Sequence, residues 1–148
     1  MKTNRKLLWV GALLLAVQTA YADPVMLHDN TRARKAGVRQ ALDAYKEVGI
    51  QGLAKRVADC YRRIPNRELL KCVYLDMTGT ILDLQVASLM ASQMNQNEED
   101  LQNEYFRLAG YRIESAFKDL GYRNNSQIRQ KSAQMIRDIS NDMNEYIK

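Results

Sequence analysis

Two cysteines, one histidine and a scatter of carboxylates are the side chains of this sequence best suited to chemistry. Cys60 and Cys72 lie in the stretch DCYRRIPNRELLKCVY, with a Pro65–Asn66 corner between them. Eleven residues separate them, so the C-x-x-C of a thiol oxidoreductase is absent. A structural zinc site takes four ligands, and two cysteines with one histidine do not supply a set. Haem attachment through C-x-x-C-H is missing too. The spacing does allow a disulfide. Cys60 lies five residues before Pro65 and Cys72 seven after it. At ~1.5 Å rise per residue, two antiparallel helices meeting at the corner bring both sulfurs to one level of their seam. Closing so short a loop is worth about 2–3 kcal/mol in the chain-entropy account. A Cys60–Cys72 staple is therefore expected, with no metal and no cofactor.

The remaining chemistry is thin. His28, beside Asp29, sits in an expected flexible leader, six residues into the mature chain. A Ser–His–Asp triad needs its imidazole held rigidly against a nucleophile, so His28 reads as an ordinary surface residue. Asp83, Glu104, Glu114 and Asp119 sit near apolar residues and could furnish the carboxylate pair of a glycosidase. No spacing singles out two of them. Phosphate-binding glycine loops and the G-x-S-x-G nucleophile elbow do not occur. Asp76, Thr80 and Asp83 interrupt an otherwise apolar segment. They read either as helix-edge contacts with basic residues such as Arg112 or as a recessed polar site. Met77, Met135 and Met143 fit apolar stripes and so read as core rather than as ligands.

The elements that must position these residues begin after a targeting segment. Residues 1–22 combine Lys2, Arg5 and Lys6 with the apolar run LLWVGALLLAV and an A-x-A ending at Ala22. That is the layout of a cleavable secretory signal peptide, cut after Ala22. The run is shorter than the roughly 20 residues that cross a bilayer. Periplasmic or secreted localisation follows as an expectation, with no transmembrane segment after cleavage. Cleavage takes three of the 22 basic residues and none of the 17 acidic ones, leaving a net charge of +2. Nucleic-acid binding wants a concentrated basic patch. The basic residues of 31–63 are instead spread around helical faces, so no nucleic-acid partner is expected.

Residues 23–30 form a leader, and 31–148 read as one helical domain. Prolines are nearly absent, and helix formers dominate. Val38, Leu42, Tyr45 and Val48 mark a first helix over about 31–48, broken at Gly49 and Gly52. Leu53, Val57, Cys60, Tyr61 and Ile64 mark a second, stopped by Pro65. A third runs from an Asn66 cap through about Met94, with apolar residues over so wide an arc that it should be central. Gly79 is its expected kink. Asn97 opens a fourth helix, with Leu101, Tyr105, Leu108 and Tyr111 along one side and Phe106, Ile113, Phe117 and Leu120 along another. It should end at Leu120–Gly121–Tyr122. Ile128, Met135, Ile139, Met143 and Tyr146 mark the last. The fold class is all-α: a single-domain bundle of about five helices, with a Cys60–Cys72 disulfide across a helical hairpin.

Compact size, a staple and no catalytic constellation point to a non-enzymatic, exported protein-binding protein of the inhibitor, immunity or chaperone type. Its partner would be an envelope enzyme or a toxin. Tyr61, Arg62, Arg63, Tyr105, Arg107, Tyr122 and Arg123 combine the residue types favoured at interface hot spots and are the candidate interface. The small residues of ASLMAS, four apart, suit either internal packing or a homodimer face. The alternative function is a cell-wall glycan-cleaving enzyme using a carboxylate pair.

Overall fold

The computed structural model describes residues 30–63 and 68–147. The expected signal peptide, His28 with all of the leader but Asn30, and the Pro65–Asn66 corner lie outside the described residues. Within them, six helices and no strand are present: α1 (Thr31–Arg63), α2 (Leu69–Met94), α3 (Glu98–Leu101), α4 (Glu104–Arg107), α5 (Ala109–Asp119) and α6 (Asn125–Ile147).

Helix α1 is one element in name and a hairpin in shape. Gly49 has φ 66° and ψ −170°, a backbone region essentially reserved for glycine. A straight helix would hold residues 37 and 60 about 35 Å apart. Instead, Gly37 abuts Tyr74 and Leu75, while Cys60 is bonded to Cys72, two residues from Tyr74. The chain therefore doubles back at Gly49, and both arms lie against α2. An ion pair between Glu47 and Arg56, 2.6 Å apart, spans the turn. The break expected at Gly49 is present as a full reversal.

The disulfide between Cys60 and Cys72 joins the second arm of α1 to α2, with Cα atoms 5.6 Å apart. That distance lies in the ordinary range for the bond. Gly37 lets the first arm approach as closely. A Cβ there would fall 2.7 Å from the Tyr74 Cβ and 3.0 Å from backbone atoms of Lys71 and Leu75.

Helix α2 is central, as its wide apolar arc requires: residues 72–79 are buried without interruption. Gly79 does not kink it. The helix runs on through residue 94, and the bare Gly79 backbone receives the Phe106 ring, which lies 2.5 Å from where a Cβ would stand. Asn95, in the left-handed region at φ 52°, ends the helix.

The single helix expected over 97–120 is three short ones. Asn97 caps α3, accepting from the Glu99 N–H, and Asn103 caps α4, accepting from the Tyr105 N–H. The second restart shifts the register, so Leu108 and Tyr111 are exposed, while Phe106, Phe117 and Leu120 stay buried. Helix α5 ends as its sequence requires. Gly121 takes φ 96°, its N–H donates to the Lys118 carbonyl, and the Tyr122 N–H donates to the Phe117 carbonyl. The Tyr122 ring then meets Phe117 edge-on at 5.4 Å. Helix α6 buries Ile128, Met135, Ile139 and Met143. It is tied to the first arm of α1 by Arg34–Asp142 at 2.7 Å and by the Tyr146 hydroxyl donating to Asp43 at 2.6 Å.

Candidate functional site: a buried carboxylate under a tyrosine–arginine surface

The buried polar side chains of the described core, Asp76, Thr78 and Asp83, all belong to α2. Thr78 returns its hydroxyl to the Tyr74 carbonyl one turn back, and the half-buried Thr80 does the same to the Asp76 carbonyl. Both are thereby satisfied within the helix. The two aspartates need outside partners, and each recruits one from the 98–119 region.

Asp76 has no solvent exposure. Arg112 of α5 reaches it in a two-pronged pair, Nη2 to Oδ1 at 2.9 Å and Nε to Oδ2 at 3.2 Å. The third prong, Nη1, donates to the Tyr105 carbonyl at 2.6 Å. The guanidinium carbon lies 3.6 Å from the centroid of the Tyr105 ring, so the cation is also stacked on an aromatic face. Burial pushes the Asp76 carboxyl above its ordinary range, and Arg112 opposes that rise. The Tyr61 hydroxyl is buried beside Asp76 without a hydrogen bond of ordinary geometry. Burial first, and the nearby carboxylate second, push this phenol far above its usual value. The Tyr61 phenol therefore stays protonated across the physiological range of pH.

Asp83 is the second anchor. Both of its oxygens accept the Asn103 N–H, each at 3.1 Å. Burial raises this carboxyl, and the Asn103 N–H opposes the rise. One residue on, Glu104 is exposed on a polar groove of about 410 Å³ that also holds Gln51, Gln102 and Tyr105. The structure thus brings two of the four candidate acids to one neighbourhood. The carboxylate of Asp83 is nevertheless turned inward onto backbone. Glu114 pairs with Lys118 at 2.6 Å along α5, and Asp119 is exposed at that helix's end. No group of three or more His, Cys, Asp or Glu side chains able to hold a metal occurs among the described residues.

The candidate interface residues divide. Tyr61 and Tyr105 turn inward toward Asp76, and Tyr122 is half-buried on Phe117. Arg62, Arg63, Arg107 and Arg123 are exposed. Arg62 pairs with Asp59 and is close enough to Tyr105 for its charge to act on the phenol. Arg62 and Arg112 therefore flank one half-buried tyrosine, with Arg107 two residues further along the chain. Tyr122 and Arg123 stand apart in sequence, at the turn between α5 and α6.

The pairing of Asp76 with Arg112 is one of the two readings open from sequence. The meeting of Asp76 with Tyr61 was missed, although a signal for it existed. Once Cys60 is bonded to Cys72, Tyr61 is one residue from the bond and Asp76 one turn beyond it.

Comparison with known proteins gives no match: no family model fits the chain, and no curated protein or solved structure is significantly similar to it. Among the described residues, no helix is long and apolar enough to cross a membrane.

Proposed function

We propose that this chain is an exported helical protein that works by binding another protein, as an inhibitor, immunity or chaperone-type factor, without catalysing a reaction. One observation carries the reading: a rigidly braced tyrosine–arginine surface. The buried Asp76 carboxylate fixes Arg112, Arg112 fixes Tyr105, and Arg62 stands beside them in solvent. Arginine and tyrosine at an interface gain most when their conformations are set before the partner arrives. Arg107, exposed two residues from Tyr105, offers a cation to an acidic group on the partner. Export is supported by the signal-like start of the sequence and by the Cys60–Cys72 bond, which persists in oxidising compartments.

The test is capture from envelope extract on immobilised protein, in parallel with an Arg62→Glu/Arg107→Glu variant. A partner enriched by the parent and lost from the variant is the expected result. The same set of proteins retained by both would overturn the assignment to this surface.

The exposed Glu104 on its polar groove favours a second reading, cleavage of cell-wall glycan by a carboxylate pair, for which Asp83 would have to turn from the Asn103 N–H. Asp83→Asn and Glu104→Gln should then each abolish release of soluble peptidoglycan fragments. Unchanged release in both removes these acids from consideration.

A further inference from the structure

Helices α5 and α6 each pack on α2 and leave an open groove of about 470 Å³ between them. Its lining is mainly apolar. Met77 and Ile128 are buried beneath it, Ile113 is half-buried at one wall, and Ile136 stands exposed at the other. Small residues keep it open. A Cβ on Gly110 would meet no atom within 4 Å, and Ala133 faces it from α6. The walls gain by being covered, in proportion to the apolar area taken from water.

Its charges do not cancel. Glu114 is paired with Lys118 at 2.6 Å, and the Thr80 hydroxyl donates to the Asp76 carbonyl. Arg129, which also lines the groove, has no hydrogen-bond or ion-pair partner among the described residues. One uncompensated cation therefore stands beside an apolar bed. Size decides what can lie there. Ten residues of helix fill on the order of 1,200 Å³, more than twice the groove. Sites for small molecules run from roughly 300 to 1,000 Å³ and combine an apolar lining with a few orienting polar groups. Arg129 and Ile136 share one face of α6, seven positions apart, or about 10 Å along the axis. An extended chain of about nine carbons spans that distance.

We infer that the α5–α6 groove binds a single-chain alkyl carboxylate of medium length, its head paired with Arg129 and its tail laid past Ile128 and Ile113 to Ile136. A guanidinium grips a carboxylate through two parallel hydrogen bonds. The ligand's one negative charge then balances the one positive charge left over. A phosphate monoester would bring nearly two charges to that single cation, and a cationic amphiphile would set like charges together. The groove is open along one side, so the chain is half covered and binding is modest. The site shares no residue with the Arg62–Tyr105 surface and stands independently of the partner proposed for it.

An NMR titration of the exported protein, with isoleucine and methionine methyl groups labelled, tests this. Decanoate, added to about 5 mM, should shift Ile113, Ile128 and Ile136 along one saturable curve and leave Ile50 unmoved. Each two carbons added from hexanoate to decanoate should tighten binding about fourfold for a half-covered chain. Dodecanoate should gain less than twofold more, because no residue beyond Ile136 on α6 lines the groove. Arg129→Gln should weaken decanoate at least fivefold, and decyltrimethylammonium should bind at least tenfold more weakly than decanoate. Gly110→Leu places a side chain in the open groove without meeting a neighbour. It should abolish the shifts while melting no lower than the parent. Shifts that never saturate, shifts centred on Met90 and Met94, affinity indifferent to Arg129→Gln, or affinity that climbs unabated with chain length would each overturn the proposal.

Discussion

Helix α2 passes through two environments within one unbroken element. From Leu70 to Asp83 it is enclosed by the α1 hairpin, α4, α5 and α6, and it carries Asp76, Thr78 and Asp83 into the core. From Leu84 onward it has no charged residue and stands largely in solvent. The ordinary association of polar with outside is inverted along the same helix. The enclosed half tolerates carboxylates because each has a donor waiting, Arg112 for Asp76 and the Asn103 N–H for Asp83. In the open half Ala87 is buried, but Leu84, Leu89, Met90 and Met94 stay exposed. Burial here is decided by how many elements surround a turn of helix, not by that turn's own composition.

This contrast can be broken from the enclosed side. Arg112→Ala strands a fully buried carboxylate, and loss of one partner of a buried pair costs about 3–5 kcal/mol. Urea denaturation should show that loss, and a variant unfolding at the parent's midpoint would mean that the pair carries no weight. Opening the staple comes next: the Cys60→Ser/Cys72→Ser double variant should lose about 3 kcal/mol by the chain-entropy relation, read from the same titration. Gly49→Ala meets no neighbouring atom, so its effect isolates the backbone conformation of the reversal. A loss of about 1–3 kcal/mol is expected, visible as a lower melting temperature.

A smaller effect sharpens the role of Asp83. Its carboxyl is raised in the folded state, so the folded protein holds that proton more tightly than the unfolded chain. The contribution of Asp83 to stability is therefore greatest below the unfolded value of about 3.9 and declines as pH rises from there through the folded value. Asp83→Asn should flatten that part of the stability–pH curve, and an identical slope in both proteins would reassign it. On the open half, Leu89→Gln should change the stability of the monomer by no more than about 0.5 kcal/mol, measured at low micromolar concentration.

Local signals were legible in advance, and long-range ones were not. The break at Gly49, the helix start at Asn97, the Gly121 helix end and the stripe of α6 all rest on neighbours a few residues away, whereas the full reversal at Gly49 did not announce itself. The disulfide was legible because its geometry hangs on one short corner. The division of 97–120 into α3, α4 and α5 was hidden because Asp83, twenty residues earlier, holds the N–H of Asn103 and favours a fresh start there. Gly79 looked like a weak point because its tenant, the Phe106 ring, is 27 residues downstream. Of the candidate interface, the arginines' exposure was readable from type alone. The inward turn of Tyr61 and Tyr105 agrees with their places on apolar stripes, but the carboxylate they turn toward is one that neither residue's periodicity announces.

The Cys60–Cys72 bond also bears on how this chain reaches its folded form. Its two sulfurs are twelve positions apart and are the chain's whole complement of thiols. No mispaired intramolecular bond is possible, and the correct one needs nothing synthesised later than Cys72. An oxidant suffices to close it, with no call on a disulfide isomerase.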